Sequence, residues 1–112
     1  VNHGYLILHD PDPPRLLGPG RYWIGRAPRC ELRFDAPGLS RFHACIEVLP
    51  GRGVVIRDLG STNGTWVDGE RVLMVALDSA ARLRVGDVEL ILRPATGEDD
   101  GLWAGAAAAG GI

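Results

Sequence analysis

Turn chemistry constrains this chain more than any other feature. Asn63-Gly64, Asp68-Gly69 and Gly86-Asp87 each stand between two short runs rich in β-branched and apolar residues. Asn-Gly and Asp-Gly accept the positive φ angles that tight hairpins need. Strand-like runs lie at Tyr5–Leu8, Arg21–Ile24, Leu32–Phe34, His43–Val48, Gly53–Asp58, Thr65–Val67, Ala81–Val85 and Val88–Leu92. Pro11, Pro13 and Pro14 make a loop, and Pro50-Gly51 closes the fourth run. Val72 to Arg82 is the one span open to a helix, and Val75, Leu77 and Ser79 disfavour it there. Many short strands at this spacing predict an all-β sandwich or barrel. Its sheets would bury alternating faces, and its loops would gather at the ends. No repeat of fixed period is visible.

The 112 residues suit one compact domain whose core needs no staples. No run of about 18 apolar residues is present, so no transmembrane helix is expected. The start at Val1 reads as a piece of a longer protein, without a secretory signal. All twelve basic residues are Arg. Up to Arg93 they face eleven acids, a balance of +1; Glu98, Asp99 and Asp100 bring the total to −2. This balance argues against direct nucleic-acid binding and against membrane binding, so an anion site must be local. Cys30 and Cys45 lack zinc-site spacing. Cys45 falls in an apolar strand and reads as a small core residue, and Cys30 sits in a polar loop open to solvent. Nothing requires a disulfide, and a cytoplasmic setting is expected. The domain is expected to span residues 1–93. Residues 94–112, rich in Gly and Ala and acidic at first, read as a disordered tail or linker.

Two kinds of chemistry compete for the centre of the chain. Ser40, His43 and Asp58 are the residue types of a nucleophile, a base and an orienting acid. A serine nucleophile wants a sharp elbow such as Gly-x-Ser-x-Gly and an oxyanion hole. Ser40 is instead flanked by Leu39 and Arg41. Asp58 better suits bonding to nearby turn amides, and a half-buried His43 better suits holding a loop. The alternative is phosphate recognition. Arg26 follows a strand, Ser40 and Arg41 follow a Pro-Gly loop, and Thr62 and Asn63 sit in a turn. In a sandwich three such loops can converge. They would offer a forked guanidinium, hydroxyls, a second Arg, and an amide able to pair with peptide backbone.

The blocks "IGR" at Ile24–Arg26, "LSRFHA" at Leu39–Ala44 and "DLGSTNGTWVDG" at Asp58–Gly69 resemble, in order and spacing, the signature of the forkhead-associated (FHA) domain. The closing "RLRVGDVELIL" at Arg82–Leu92 extends the likeness, which covers roughly Tyr5 to Arg93. The resemblance implies an eleven-stranded β-sandwich of two twisted, mainly antiparallel sheets. It implies binding of phosphothreonine peptides through loops at one end, with no catalysis, no cofactor and no metal. Carried over by position, Arg26 would hold the phosphate and Ser40 would donate its hydroxyl. Arg41 would reach the phosphate or the peptide main chain. Thr62 would add a hydroxyl or backbone donor, and Asn63 would grip the peptide backbone. Gly25, His43 and Gly64 match loop-shaping positions. The partner would be a protein phosphorylated by a Ser/Thr kinase, and the isolated domain would be monomeric. A bacterial signalling or regulatory parent is the first reading. An assembly role with an unused phosphate site is the second, and a Ser/His hydrolase the last.

Residues after the phosphothreonine, notably the third, would meet the neighbouring loops. Ala36-Pro37-Gly38 brings no charge of its own; an acidic third residue would look to Arg29, Arg33 or Arg41, and an aliphatic one is equally open. The tail itself carries such a sequence. Thr96-Gly97-Glu98-Asp99-Asp100 is a threonine followed by acids, and phosphorylated Thr96 could link two copies head to tail.

Overall fold

The computed structural model describes residues 4–51 and 53–99. Eleven strands appear: β1 (Tyr5–Leu8), β2 (Arg15–Leu17), β3 (Gly20–Gly25), β4 (Leu32–Arg33), β5 (Ala44–Leu49) and β6 (Gly53–Asp58), then β7 (Thr65–Val67), β8 (Glu70–Val72), β9 (Met74–Leu77), β10 (Ala81–Val85) and β11 (Val88–Pro94). One sheet runs β2-β1-β11-β10-β7-β8 and the other β4-β3-β5-β6-β9. The short β3–β4 pair is parallel and the other pairs are antiparallel. The eleven-stranded, all-β sandwich expected from the sequence is the fold found. No helix among the described residues is long and apolar enough to cross a membrane.

Period-two patterning builds the core. Ala44, Ile46 and Val48 of β5 and Val54 and Ile56 of β6 face Leu83 and Val85 of β10 and Leu90 and Leu92 of β11. Their alternates Arg57, Arg82 and Glu89 are exposed. Ile46, Ile56, Leu83 and Leu92 are wholly excluded from solvent. Each such side chain contributes about 1.5–3 kcal/mol of burial. Asp68 and Gly69, with φ of 50° and 86°, make the two-residue turn between β7 and β8. Gly86, with φ of 57°, opens the turn between β10 and β11.

The structure departs from the sequence reading in several places. Asn63-Gly64 does not close a hairpin, because β6 and β7 belong to different sheets. The span open to a helix is strand: β9 pairs with β6 from Val54↔Leu77 to Arg57↔Met74. Leu73, between β8 and β9, is where the chain crosses between sheets, and its carbonyl accepts from Asp58 N–H at 2.8 Å. The run after the prolines is β2, an edge strand on β1 that the Pro-rich stretch obscured. Cys30 is buried, not open to solvent, because its loop folds inward and its thiol donates to the Arg41 carbonyl at 3.4 Å. Cys45 is buried too, but on the outer face of its sheet, in register between Trp23 and Arg57. Regular structure also continues past Arg93. Pro94 completes β11, and Gly97–Asp99 form a 3-10 turn. The expected tail beyond Asp99 lies outside the described residues.

Candidate functional site

Four connections meet at one end of the sandwich. They are the loops after β3, before β5 and after β6, with the β10–β11 turn beneath them. The first two are laced by backbone. Arg26 N–H donates to Ser40 O at 3.1 Å, Ala27 N–H to Arg41 O at 3.0 Å, and His43 N–H to Ile24 O at 2.8 Å. This approach requires glycine at position 25, where an added Cβ would stand 2.0 Å from the Arg41 carbonyl oxygen.

Buried His43 joins the second loop to the third. Its Nδ1 accepts from the Ser40 backbone N–H at 3.1 Å, so Nε2 carries the hydrogen and donates to the Gly64 carbonyl at 2.7 Å. Gly64 adopts φ of 89°, and its carbonyl also accepts from Gly86 N–H at 3.1 Å. Only a residue free to take positive φ fits there. His43 thus ties two loops and makes no bond to the Ser40 hydroxyl or to Asp58.

Asp58 organises the third loop. Its Oδ2 accepts from the amides of Gly60 and Ser61, at 3.0 and 3.1 Å. Its Oδ1 accepts from Ser61 Oγ at 2.5 Å and from Thr65 Oγ1 at 2.7 Å. Burial works to raise the Asp58 carboxyl, but these hydrogen bonds outweigh it and hold the group below the ordinary carboxylate value. Ser40, His43 and Asp58 therefore do not form a relay; each is bound to backbone or hydroxyls of the loops.

The residues expected to bind phosphate are placed as follows. Arg26 donates from Nε to the Leu39 carbonyl at 2.5 Å, which fixes its stem beside the Ser40 loop. Its two terminal nitrogens carry no hydrogen bond to the described residues. Ser40 Oγ accepts from Thr62 N–H at 3.3 Å and keeps its own hydrogen to donate. Asn63 Nδ2 donates to the Gly38 carbonyl at 2.8 Å, leaving its Oδ1 free of any bond within the described residues. Arg26, Ser40, Thr62 and Asn63 are thereby drawn together. Arg41 is exposed, and its guanidinium has no hydrogen bond or ion pair among the described residues. Arg33 Nε donates to the Arg26 carbonyl at 2.9 Å, so a second guanidinium braces the first loop.

Three supporting features escaped the sequence reading. Gly86 was read as a hairpin residue only, yet a Cβ there would stand 2.3 Å from the Gly38 carbonyl. Ser61 Oγ accepts from Gly64 N–H at 3.0 Å, which closes the turn that presents Thr62 and Asn63. Trp66 donates from Nε1 to the Asn63 carbonyl at 3.2 Å, and the Arg84 guanidinium lies over its ring at 4.5 Å. The only sequence signal for these was the Gly-rich turn chemistry. Beside the loops, Trp23, Arg29, Glu31 and Phe42 line a depression of about 380 Å³.

Comparison with known proteins returns one consistent answer. The profile of the FHA domain family matches residues 22–88, more than half of the chain. The ABC transporter ATP-binding/permease protein Rv1747 of Mycobacterium tuberculosis is 37% identical over 87 residues, which are 75% of this chain and 10% of the transporter. This chain thus spans about a tenth of that relative's length. An FHA domain from a structural and functional analysis of phosphothreonine-dependent FHA domain interactions superposes with a TM-score of 0.74 at 30% identity. It covers 82% of this chain and 97% of its own. Mycobacterium tuberculosis EmbR, solved in complex with a low-affinity phosphopeptide, gives a TM-score of 0.75 at 29% identity, over 83% of this chain and 25% of its own.

Proposed function

We propose, from the premise that the chain belongs to the FHA domain family, that it is a phosphothreonine-dependent protein-interaction module of a bacterial signalling or regulatory protein. The observation that carries this reading is the convergence of Arg26, Ser40, Thr62 and Asn63 through bonds that leave phosphate-binding atoms unspent. The terminal nitrogens of Arg26 take two phosphate oxygens as a fork. Ser40 turns its hydroxyl hydrogen to a phosphate oxygen while still accepting from Thr62 N–H. The Thr62 hydroxyl adds a donor, and Arg41 supplies a mobile second cation. Asn63 Oδ1 accepts from the peptide backbone, with its amide anchored on Gly38.

The module is a binder and not a catalyst. Its loops are held by backbone bonds before any ligand arrives, so little ordering cost falls on binding. It needs no metal or cofactor, since the guanidinium charges meet the dianion directly. Its partners are proteins phosphorylated on threonine by Ser/Thr kinases, and it works in the cytoplasm, where Cys30 and Cys45 stay reduced.

The test is a titration of wild type and Arg26→Ala with phosphothreonine, phosphoserine and unphosphorylated peptide libraries. Phosphothreonine-selective binding is expected, weakened by about 1.5–3 kcal/mol in the variant, the range for charged hydrogen bonds. Equal binding by both proteins would sink the site assignment. Ester hydrolysis lost in Ser40→Ala would replace the reading with an enzyme.

A further inference from the structure

Thr96 lies at the opposite end of the sandwich from the phosphate loops. β11 begins beside the Gly86-Asp87 turn and ends at Pro94. Its 7 residues cover about 20 Å. Thr96 stands two residues beyond, on a tether of about 7 Å. While β11 stays paired with β1 and β10, Thr96 cannot reach the site of its own chain.

The segment around Thr96 is held by charge. Thr96 N–H and Oγ1 donate to Asp99 Oδ2 at 2.8 and 3.3 Å, and Glu98 N–H donates back to Thr96 Oγ1 at 3.3 Å. Arg93 places its two terminal nitrogens on the two Asp99 oxygens at 3.0 and 3.1 Å. The Arg93 hydrogen bonds hold the Asp99 carboxyl down at about 2, so it is charged at neutral pH. Thr96 itself is exposed.

We propose that Thr96 is a phosphorylation site, and that its modification converts the segment into a ligand for the phosphate loops of a second copy of this chain. Binding in trans presupposes the phosphate-loop function given above. A protein kinase using a nucleoside triphosphate forms the new P–O bond at Oγ1. The bond from the γ-phosphorus to the oxygen bridging it to the β-phosphate breaks, the nucleoside diphosphate leaves, and the hydroxyl proton passes to the kinase's base. The product has lost the hydrogen that Asp99 accepted. It sets a charge of about −1.5 to −2 against the Asp99 carboxylate. The phosphate repels Asp99 and competes with it for the Arg93 guanidinium, which breaks the Thr96–Asp99 bonds that hold the 3-10 turn and frees the segment. Extended, it offers phosphothreonine followed by Gly97, Glu98 and Asp99, with Asp100 next in sequence. The acids meet a loop cluster that carries Arg26, Arg29, Arg33 and Arg41. Each chain then has a site at one end and a ligand at the other, a head-to-tail contact that builds open chains.

The test uses the full chain with phosphothreonine placed at position 96 by ligation or genetic encoding. Sedimentation over a wide concentration range should show mass rising with concentration for the phosphorylated chain. The unmodified chain should stay monomeric, and Arg26→Ala in the phosphorylated chain should weaken association at least tenfold. Phosphorylated Arg26→Ala mixed with unmodified wild type should stop at a one-to-one pair. A phosphorylated chain that stays monomeric, while wild type binds unrelated phosphothreonine peptides, overturns the proposal and leaves the loop function standing. Failure to bind any phosphothreonine peptide overturns both. Association that survives Arg26→Ala undiminished also overturns the proposal.

Discussion

Gly25→Ala is the sharpest probe of the loop cluster. A Cβ at position 25 would stand 2.0 Å from the Arg41 carbonyl oxygen and 2.7 Å from its carbon. Both are backbone atoms, so no side chain can swing aside. Ordinary contact begins at 3.4 Å, so the gap must open by about 1.4 Å, the difference between 3.4 and 2.0. Two bonds span that gap, Arg26 N–H to Ser40 O and Ala27 N–H to Arg41 O, at 3.1 and 3.0 Å. Opened that far they are lost, at about 0.5–1.5 kcal/mol each. The stiffer unfolded chain returns about 0.4–1 kcal/mol, leaving a net loss of about 1–2 kcal/mol. Phosphate binding should suffer more than the fold. Arg26 and Ser40 stand on opposite sides of the gap, so one charged hydrogen bond of about 1.5–3 kcal/mol goes with it, tenfold or more in affinity. Equilibrium urea unfolding reads the first quantity, and calorimetric titration with one phosphothreonine peptide reads the second. Wild-type midpoint and affinity together would refute the account of position 25. Lost stability with intact affinity would refute the claim that loop spacing sets phosphate binding.

His43→Ala removes both arms of the strut, leaving Ser40 N–H without its acceptor and Gly64 O with Gly86 N–H alone, a loss of about 2–4 kcal/mol readable by thermal denaturation. A change under about 1 kcal/mol would contradict the structural role. Asp58→Asn turns an acceptor of four donors into a mixed group and should cost about 1–3 kcal/mol at neutral pH. The Asp58 carboxyl is lowered from 3.8, so its stabilisation is full above that value and fades as pH falls through the lower, folded value. The gap between wild type and Asp58→Asn should therefore narrow below pH 3.8, and a gap constant with pH would contradict it. Asp99, lowered to about 2, loses its contribution between 3.8 and about 2. Asp99→Asn should flatten the acid limb of a melting-temperature profile in that window, and an unchanged limb would count against the Arg93 clasp.

Much of the fold was legible because its signals are local. Alternation in Ala81–Val85 and Val88–Leu92, with Gly86-Asp87 between, specifies a hairpin without reference to the rest of the chain. β2 and β9 were harder to read. Both are edge strands, and their residues join a sheet only because a distant strand offers an unpaired side, β1 to one and β6 to the other. Asn63-Gly64 misled for a related reason. Its turn chemistry is the same whether the next strand pairs back or crosses to the other sheet, and only sheet membership decides between them. Cys30 carried no local mark of burial; its loop turns inward because Ala27 N–H and the Cys30 thiol both find the Arg41 carbonyl.

The site divides along the same line. Residue types and spacing alone determined which loops carry guanidinium, hydroxyl and amide groups, and the family resemblance marked Gly25 and Gly64 as loop-shaping. The family signature rests on those properties, which survive without coordinates. Tertiary structure decided what each group is doing. His43 is a strut because one nitrogen faces Ser40 N–H and the other Gly64 O, partners 3 and 21 residues away. Asp58 is a loop anchor because four donors fill its carboxylate. Asn63 spends its amide on Gly38, 25 residues back, and its carbonyl oxygen has no bond among the described residues. Hydrogen bonds are short-ranged and directional, so the role of a polar side chain is settled only when the fold has chosen which backbone groups stand within about 3 Å of it.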